Sequence, residues 1–402
     1  MSSEIVPGKK QTAKAFPLTG KTVGTYHDDN LEGTVMKAFF HREGFLSACQ
    51  LASAAVASRD VKPILRNLKA VADDGSCTLM ATDLEIGIRL DVRSVKVEEA
   101  GAAILPTSQT VAVLRESLDE ELELDADADR CLLRGKHNEF EMPGEDPDNF
   151  PDVPSFSAEQ YHELQAGVLR DMIRRTIFAA ATENPRYAVT GILWELDNES
   201  ARLVATDGRR LAVTRHAAVC HGDHGTKGQT PVVPTKAMAL LDRVLSDPDE
   251  IVRICIRPND VLFKTDRATI YSRLVEGRYP DYKAVIPKKC NAKIPLVVGP
   301  FLTAIRQSAI MTDDESKRVS FRFDKNNLTL QAYGAKTGRA KVELPIDYDG
   351  KTIEINFDPK YLLEMLRVLD PETSLTMELT DNNTPAHCYT SDHYTYVVMP
   401  VS

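Results

Sequence analysis

The sequence predicts an α+β fold of three repeated domains, each with two helices packed on antiparallel sheets. Three observations predict it. A strand-turn-strand segment recurs at a near-constant interval, helical segments flank each copy in the same order, and short strands follow each second helix. Leu203-Val204-Ala205-Thr206-Asp207-Gly208-Arg209-Arg210-Leu211-Ala212-Val213 echoes Leu79-Met80-Ala81-Thr82-Asp83-Leu84-Glu85-Ile86-Gly87-Ile88, and Asp83 and Asp207 lie 124 residues apart. A third copy, weaker and without the Thr-Asp pair, lies 127 residues further on, where Leu330-Gln331-Ala332-Tyr333-Gly334 begins a strand ending in Lys341-Val342-Glu343-Leu344-Pro345.

Taken in order, the first domain spans 36–156, the second 157–286 and the third 287–402. Apolar periodicity predicts a first helix in each, at about 42–58, 166–183 and 299–312, and a second at about 107–118, 234–246 and 359–369. The strands after each second helix close on Asn149-Phe150-Pro151-Asp152-Val153-Pro154, on Arg278-Tyr279-Pro280-Asp281-Tyr282 and on the terminal Tyr396-Val397-Val398-Met399-Pro400. Each unit is of a size that folds around its own core.

The first helix of domain two shows how such a segment is built. Leu169, Met172, Ile173, Thr176, Ile177 and Ala180 form one stripe, and Arg170, Arg174 and Arg175 fall opposite with Asp171. The second helices are weaker versions: Lys236 and Arg243 are seven apart, and Lys360, Glu364 and Arg367 share a face against Leu362, Leu363 and Leu366. A solvated face is the ordinary meaning of one charged stripe. Its recurrence at equivalent positions of a repeat favours a functional cation face.

Composition is that of a globular chain, 43% hydrophobic and 27% charged, and no apolar run approaches the roughly 18 residues of a membrane span. The first 35 residues lack the apolar stretch of a secretory signal, so a cytoplasmic location is expected. The seven cysteines are odd in number, dispersed and never in Cys-x-x-Cys, which points to reduced structural thiols. The net charge of −10 argues against a protein that blankets nucleic acid with positive charge, and leaves room for a local basic face.

Two segments invite a catalytic reading. Ala15-Phe16-Pro17-Leu18-Thr19-Gly20-Lys21-Thr22 fits a relaxed phosphate-loop pattern, but no apolar strand feeds it, Pro17 lacks an amide and no helical pattern follows. His216-Ala217-Ala218-Val219-Cys220-His221-Gly222-Asp223-His224 is rich in potential zinc ligands, yet it follows a strand and runs into Gly225-Thr226-Lys227-Gly228, so it reads as a polar connecting loop. No nucleophile with an evident base is present. Neither an enzyme, a metal site nor a cofactor is expected.

The Ala81–Ile88 and Val204–Val213 segments, Glu276-Gly277-Arg278-Tyr279-Pro280-Asp281-Tyr282 and Tyr396-Val397-Val398-Met399-Pro400 together resemble the bacterial sliding clamps, the beta subunits of the replicative DNA polymerase III holoenzyme. The resemblance runs from Met36 to Ser402. It implies a DNA clamp fold in which a ring-shaped head-to-tail homodimer encircles duplex DNA and confers processivity without catalysis. A closed ring is held by topology, so an acidic protein with a few inward cations can track DNA without tight, sequence-specific contacts. By motif position the DNA-facing residues are Arg59, Arg186 and Tyr187, joined by Arg170 and Arg174 of the charged stripe. Ala188 stands where the family carries a second aromatic.

The resemblance also implies a pocket between domains two and three for Gln-Leu-x-Leu-Phe-type peptides of partners: the replicative polymerase catalytic subunit, the clamp loader, and translesion polymerases and repair factors. The matching positions are Val189, Thr206, Gly208, Arg210, Leu211, Pro280, Val285, Val397, Val398, Met399, Pro400 and Val401. Arg209 replaces a common histidine, Ala284 a rim arginine, and the chain ends at Ser402, so a different peptide preference is expected. Phe140 and Met142 on one chain and Ile310 and Met311 on the other form the implied apolar part of the dimer contact, with internal core packing as the alternative for these residues. Residues 1–35 lie outside the resemblance; a disordered extension, a lineage-specific arm and an upstream start are open readings, and low hydrophobic density favours disorder. The competing function is a clamp-like interaction scaffold that does not encircle DNA.

Overall fold

The computed structural model describes residues 36–57, 62–183, 187–313 and 317–401. The 15–22 segment with the rest of the N-terminal extension, and both Arg59 and Arg186, lie outside the described residues.

Six α-helices occur among the described residues: α1 (Arg42–Ala52), α2 (Thr107–Glu116), α3 (Ala166–Ile177), α4 (Thr235–Val244), α5 (Val298–Ala309) and α6 (Pro359–Leu366). They fall where the periodicity puts them but stop two to six residues sooner. After α1, α3, α5 and α6 the reason is local: the last turns tighten into i to i+3 bonds, as in Val56 N–H to Ser53 O (3.2 Å), Ala179 N–H to Thr176 O (2.9 Å) and Met311 N–H to Ser308 O (3.3 Å). In α3 the buried residues include Leu169, Met172, Ile173 and Thr176, the stripe read from sequence. The helices pack in pairs, α1 on α2, α3 on α4 and α5 on α6.

The strands form four antiparallel sheets. Two of them cross domain junctions. At the first junction Ile86–Val92 of domain one pairs with Ala268–Arg273, the last strand of domain two, with Ile270 opposite Ile88. At the second, Arg210–Ala217 pairs with Tyr394–Val398, the last strand of domain three, with Ala212 opposite Tyr396. Main-chain ladders therefore join the domains, and an apolar core runs continuously behind them. The other two sheets sit at the ends of the molecule. One ends on the edge strand Glu139–Pro143 of domain one, the other on Gly338–Pro345 of domain three.

The repeat is reproduced atom by atom at its turns. Thr82 Oγ1 donates to Ile86 O (2.7 Å) and accepts from Leu84 N–H (3.0 Å), and Asp83 Oδ1 accepts from Glu85 and Ile86 N–H. In the second copy Thr206 Oγ1 donates to Arg210 O (2.6 Å) and accepts from Gly208 N–H (3.1 Å), and Asp207 Oδ1 accepts from Arg209 and Arg210 N–H. The third residue of the turn has positive φ in both, +76° at Leu84 and +88° at Gly208, a conformation that glycine adopts without strain and leucine does not. The third copy is a hairpin of Asn327–Gly334 and Gly338–Pro345 rather than one strand, turning through Gly338 at φ +108°.

One expectation is overturned. The histidine-rich stretch after Arg210–Ala217 is not simply a polar loop: Val219–His221 adds to the edge of the nine-stranded sheet beside Tyr161–Gln165. Stacking of His221 on Tyr161 (4.7 Å) and the His221 contact with Glu163 (3.0 Å) hold it there. His224 then turns inward and is buried.

Candidate functional site

An apolar pocket opens where domains two and three meet, and both domains supply its walls. Alternation along the two junction strands sends Leu211 and Val397, directly opposite each other in register, to the same face, where they are 2% and 3% exposed. Val189 completes the floor at 3% exposure. The wall above is the Thr206–Arg210 turn, with Gly208 at its tip, and Pro280 closes the opposite side. Val285 and Met399 stand half-exposed at the rim. The enclosed cavity is about 170 Å³. Its lining is carbon-rich, and Thr206 Oγ1 is already spent within the turn, so the cavity is suited to apolar side chains rather than a charged or sugar-like ligand.

The walls are braced from behind. Tyr279 donates its hydroxyl proton to Val204 O (3.1 Å), and Tyr282 donates to Glu195 Oε2 (2.9 Å). Burial works against charge on Glu195, but hydrogen bonds from Arg202, Lys283 and Tyr282 hold its pKa below the usual carboxylate value. Burial raises the Tyr282 phenol, so it remains a donor.

Arg210 borders the cavity as expected, with its guanidinium engaged at the domain junction. It is 7% exposed and spans the domain junction: Nε donates to Asp207 (3.0 Å), Nη2 to Phe178 O (2.6 Å) and Nη1 to Glu364 of α6. Its guanidinium lies over the rings of Phe178 (5.3 Å) and Tyr361 (4.8 Å). Burial opposes the Arg210 charge, while Glu364 and Asp207 sustain it. The first junction uses the equivalent turn with another partner, Asp83 pairing with Lys236 of α4.

Three expected pocket residues lie off the cavity. Val398 follows Val397 and therefore points to the opposite face, fully buried in the main core. Val401 donates its amide to Asn356 O (2.9 Å), and Pro400, between Met399 and Val401, is half-buried outside the lining. Conversely Tyr187, expected to face DNA, is 47% exposed on the pocket lining. Sequence reasoning passed over Asp281 and Tyr282 as lining residues, although both sit inside the Pro-Asp-Tyr motif that marks this segment.

Of the α3 arginines, Arg170 donates to Leu245 O (3.3 Å) and Arg174 to Asp242 of α4 (3.0 Å). Arg174 keeps about half its side chain in solvent, 55% exposed. Arg175 is committed elsewhere, paired with Asp171 and with Asp392 of domain three. Phe140, on the edge strand Glu139–Pro143, is 38% exposed, and Ile310, at the C-terminal end of α5, is 68% exposed. Met142 corrects the dimer expectation: it is 6% exposed within domain one and accepts from Thr110 Oγ1 (3.8 Å), because α2 covers that end of the strand. Met311 is half-buried against the core, its carbonyl accepting from Thr337 (2.8 Å).

No group of three or more potential ligands able to hold a metal occurs among the described residues. The histidine noted from sequence, His224, instead meets His162, Nδ1 to Nδ1 at 2.7 Å. His162 Nε2 lies 2.7 Å from Asp197 O, and Ile256 N–H donates to His224 Nε2 (3.1 Å). The neutral assignment that serves all four ring nitrogens places protons on His162 Nε2 and His224 Nδ1. A further proton on His162 would set two N–H groups face to face; one on His224 Nε2 would oppose the Ile256 N–H, with Ile256 O at 3.2 Å as an acceptor that partly offsets this. Burial accordingly lowers both pKa values. Unfolded imidazoles take up protons as pH falls through about 6.5, so below that pH the unfolded chain binds more protons than the folded one. The stability held by this pair is expected to be complete above about pH 6.5 and to decline below it by up to ~1.4 kcal/mol per pH unit for each ring. Proton NMR of the two imidazoles would check this; rings already half-protonated at pH 6.5 would exclude it.

Residues 36–154, 163–281 and 283–402 match, in that order, the N-terminal, central and C-terminal domains of the DNA polymerase III beta subunit. The beta sliding clamp of Escherichia coli K12 is 30% identical over 372 residues, covering 91% of this chain and all of that protein. That of Pseudomonas putida is 29% identical over 366 residues, covering 90% and 98%. The crystal structure of the Bacillus subtilis DNA polymerase sliding clamp superimposes with a TM-score of 0.85 at 25% identity, covering 91% of this chain and 99% of that one. No helix among the described residues is long and apolar enough to cross a membrane. With three clamp domains in sequence order and a relative 30% identical that is covered along its whole length, the chain belongs to the DNA polymerase III beta subunits, the beta sliding clamps, and is an accessory processivity subunit rather than an enzyme.

Proposed function

We propose that two copies of this chain close head to tail into a ring around duplex DNA, and that the apolar pocket between domains two and three tethers partner proteins to it. The observation that carries the ring is the way the domains join. At each junction inside the chain, the strand after the repeated turn pairs with the last strand of the following domain, Ile86–Val92 with Ala268–Arg273 and Arg210–Ala217 with Tyr394–Val398. The third such strand, Gly338–Pro345, and Glu139–Pro143, the last strand of domain one, are each the end strand of a sheet among the described residues. A second copy supplies each with its missing neighbour, which also removes both open edges. The contact is heterologous and closes into a ring after two chains. Phe140 and Ile310, exposed near these edges, are its apolar side chains, with Met311 behind Ile310.

Six helix pairs then belong to the ring. Arg174 and Arg170, with Arg59 and Arg186, supply a sparse cation lining that attracts phosphate without reading sequence. Location in the cytoplasm accords with this role. The pocket accepts the apolar anchors of a short peptide from the replicative polymerase catalytic subunit, the clamp loader, or translesion and repair factors, with aliphatic floor residues providing most of the affinity.

Retention on DNA tests the ring. Loaded by its cognate loader, the protein is expected to stay on circular DNA through gel filtration and to run off once the circle is cut. Equal retention on circular and linear DNA, where loading is independently shown to work, would replace the ring with a scaffold that does not encircle DNA.

A further inference from the structure

Beside the apolar pocket, and sharing Arg209 with it, lies a second and larger cleft of about 940 Å³ on domain three. The end of α5, the hairpin turn at Lys336–Thr337 and the outer face of α6 enclose it. Cations outnumber carboxylates among its described lining residues. Arg209, Lys317, Lys336, Lys360 and Arg367 line it against three carboxylates, within a protein whose net charge is −10. Of those carboxylates, Glu364 is engaged by Arg210 and Asp358 accepts the Lys360 amide at the start of α6 (2.9 Å). Arg209 donates to the Tyr361 hydroxyl oxygen (3.4 Å), and Lys317, Lys360 and Arg367 are exposed.

We propose that this cleft receives an acidic stretch of a partner polypeptide, directly adjoining the apolar anchor that the pocket holds. The inference rests on the reading of the pocket as a peptide site. Arg209 stands on both walls, so a peptide leaving the pocket past it enters the cleft at once. Extended chain advances about 3.3 Å per residue, which brings the next few side chains among the lysines. Carboxylates interleaved with the cations select between possible occupants. A nucleic-acid strand, with a phosphate at every nucleotide, would meet Asp313, Asp358 and Glu364 as well as the cations. A short peptide sets its carboxylates beside the lysines and turns backbone N–H groups toward the acids.

The experiment is fluorescence anisotropy on the full chain with three labelled peptides sharing one apolar anchor of the Gln-Leu-x-Leu-Phe type: a neutral peptide, one with three glutamates before the anchor, and one with three after it. One acidic peptide is expected to bind roughly three- to tenfold more tightly than the neutral one at about 50 mM salt, the combined effect of two exposed ion pairs. That gain is expected to shrink toward nothing at about 0.5 M salt, where screening is strong. Lys317→Glu with Arg367→Glu removes the gain and leaves the neutral peptide's affinity unchanged, which also reports that the variant is folded. No gain with either acidic peptide, or a gain that survives the double substitution, overturns the proposal while leaving the pocket reading in place. Failure of the neutral peptide to bind the unsubstituted protein overturns the pocket reading, and the cleft proposal falls with it. A double substitution that weakens a duplex oligonucleotide and not the acidic peptide assigns the cleft to nucleic acid and overturns the proposal.

Discussion

Phe140→Asp combined with Ile310→Asp is expected to abolish retention on circular DNA while leaving each chain folded. Both side chains are exposed in the single chain, at 38% and 68%, so neither substitution disturbs a packed core, and surface changes of this kind alter stability by about 0.5 kcal/mol or less. In a ring of two chains the consequence is different. Both contacts are equivalent, every contact carries both substitutions, and each new carboxylate takes the place of an apolar side chain at the contact. An uncompensated charge at a closed interface costs several kcal/mol, and the ring carries that cost at two contacts. Sedimentation is expected to give a monomer with an unchanged melting temperature, and circular DNA to lose the protein as quickly as linear DNA. A stable dimer still held on circles would place the contact elsewhere. Met142→Ala provides the contrast: with its side chain buried in domain one, it lowers stability by about 2–5 kcal/mol as a core truncation does, whether or not the ring forms.

The second large effect is expected at Arg210. Arg210→Met keeps apolar volume between Phe178 and Tyr361 but strips the positive charge from Asp207 and Glu364 and the donor from Phe178 O. Removing one member of a buried ionic cluster costs about 3–5 kcal/mol, and the partial exposure of Glu364, 26%, puts this case toward the lower end. Because Arg210 lies at the pocket wall and on the junction strand together, partner-peptide affinity is expected to fall with stability. Hydrogen exchange should accelerate along Arg210–Ala217 and Tyr394–Val398, the strands that carry the junction. Adding Glu364→Leu removes the stranded carboxylate and is expected to restore most of the loss, since an apolar replacement of a whole buried pair is often neutral. If Arg210→Met leaves melting and exchange unchanged, the junction is held by its backbone ladder alone.

Where sequence reading succeeded and where it stopped has a common physical cause. Interactions within a few residues are written in the chain: the Thr-Asp turn with its paired hydroxyl and carboxylate bonds, the α3 stripe of Leu169, Met172, Ile173 and Thr176, and the pocket segments that each carry their own turn chemistry. Contacts across tens to hundreds of residues are not. Nothing in the order of residues says that Arg210 meets Glu364, that Arg175 meets Asp392 or that His162 meets His224. The same holds for burial. Phe140 and Met142 share one strand face by alternation, yet only Met142 is covered, because α2 reaches one and not the other.

By itself, then, the sequence determined the repeat, the six helices, the strands that alternate between core and solvent, and the family, because periodicity and turn chemistry act locally and survive in the residue order. The tertiary structure alone decided which side of a strand becomes a pocket floor, as with Val397 inside and Val398 behind it, and which charges are consumed at a junction and which stay free for a partner. Those outcomes depend on the register between strands of different domains and on what a neighbouring element happens to cover. Both are fixed only when the whole chain packs.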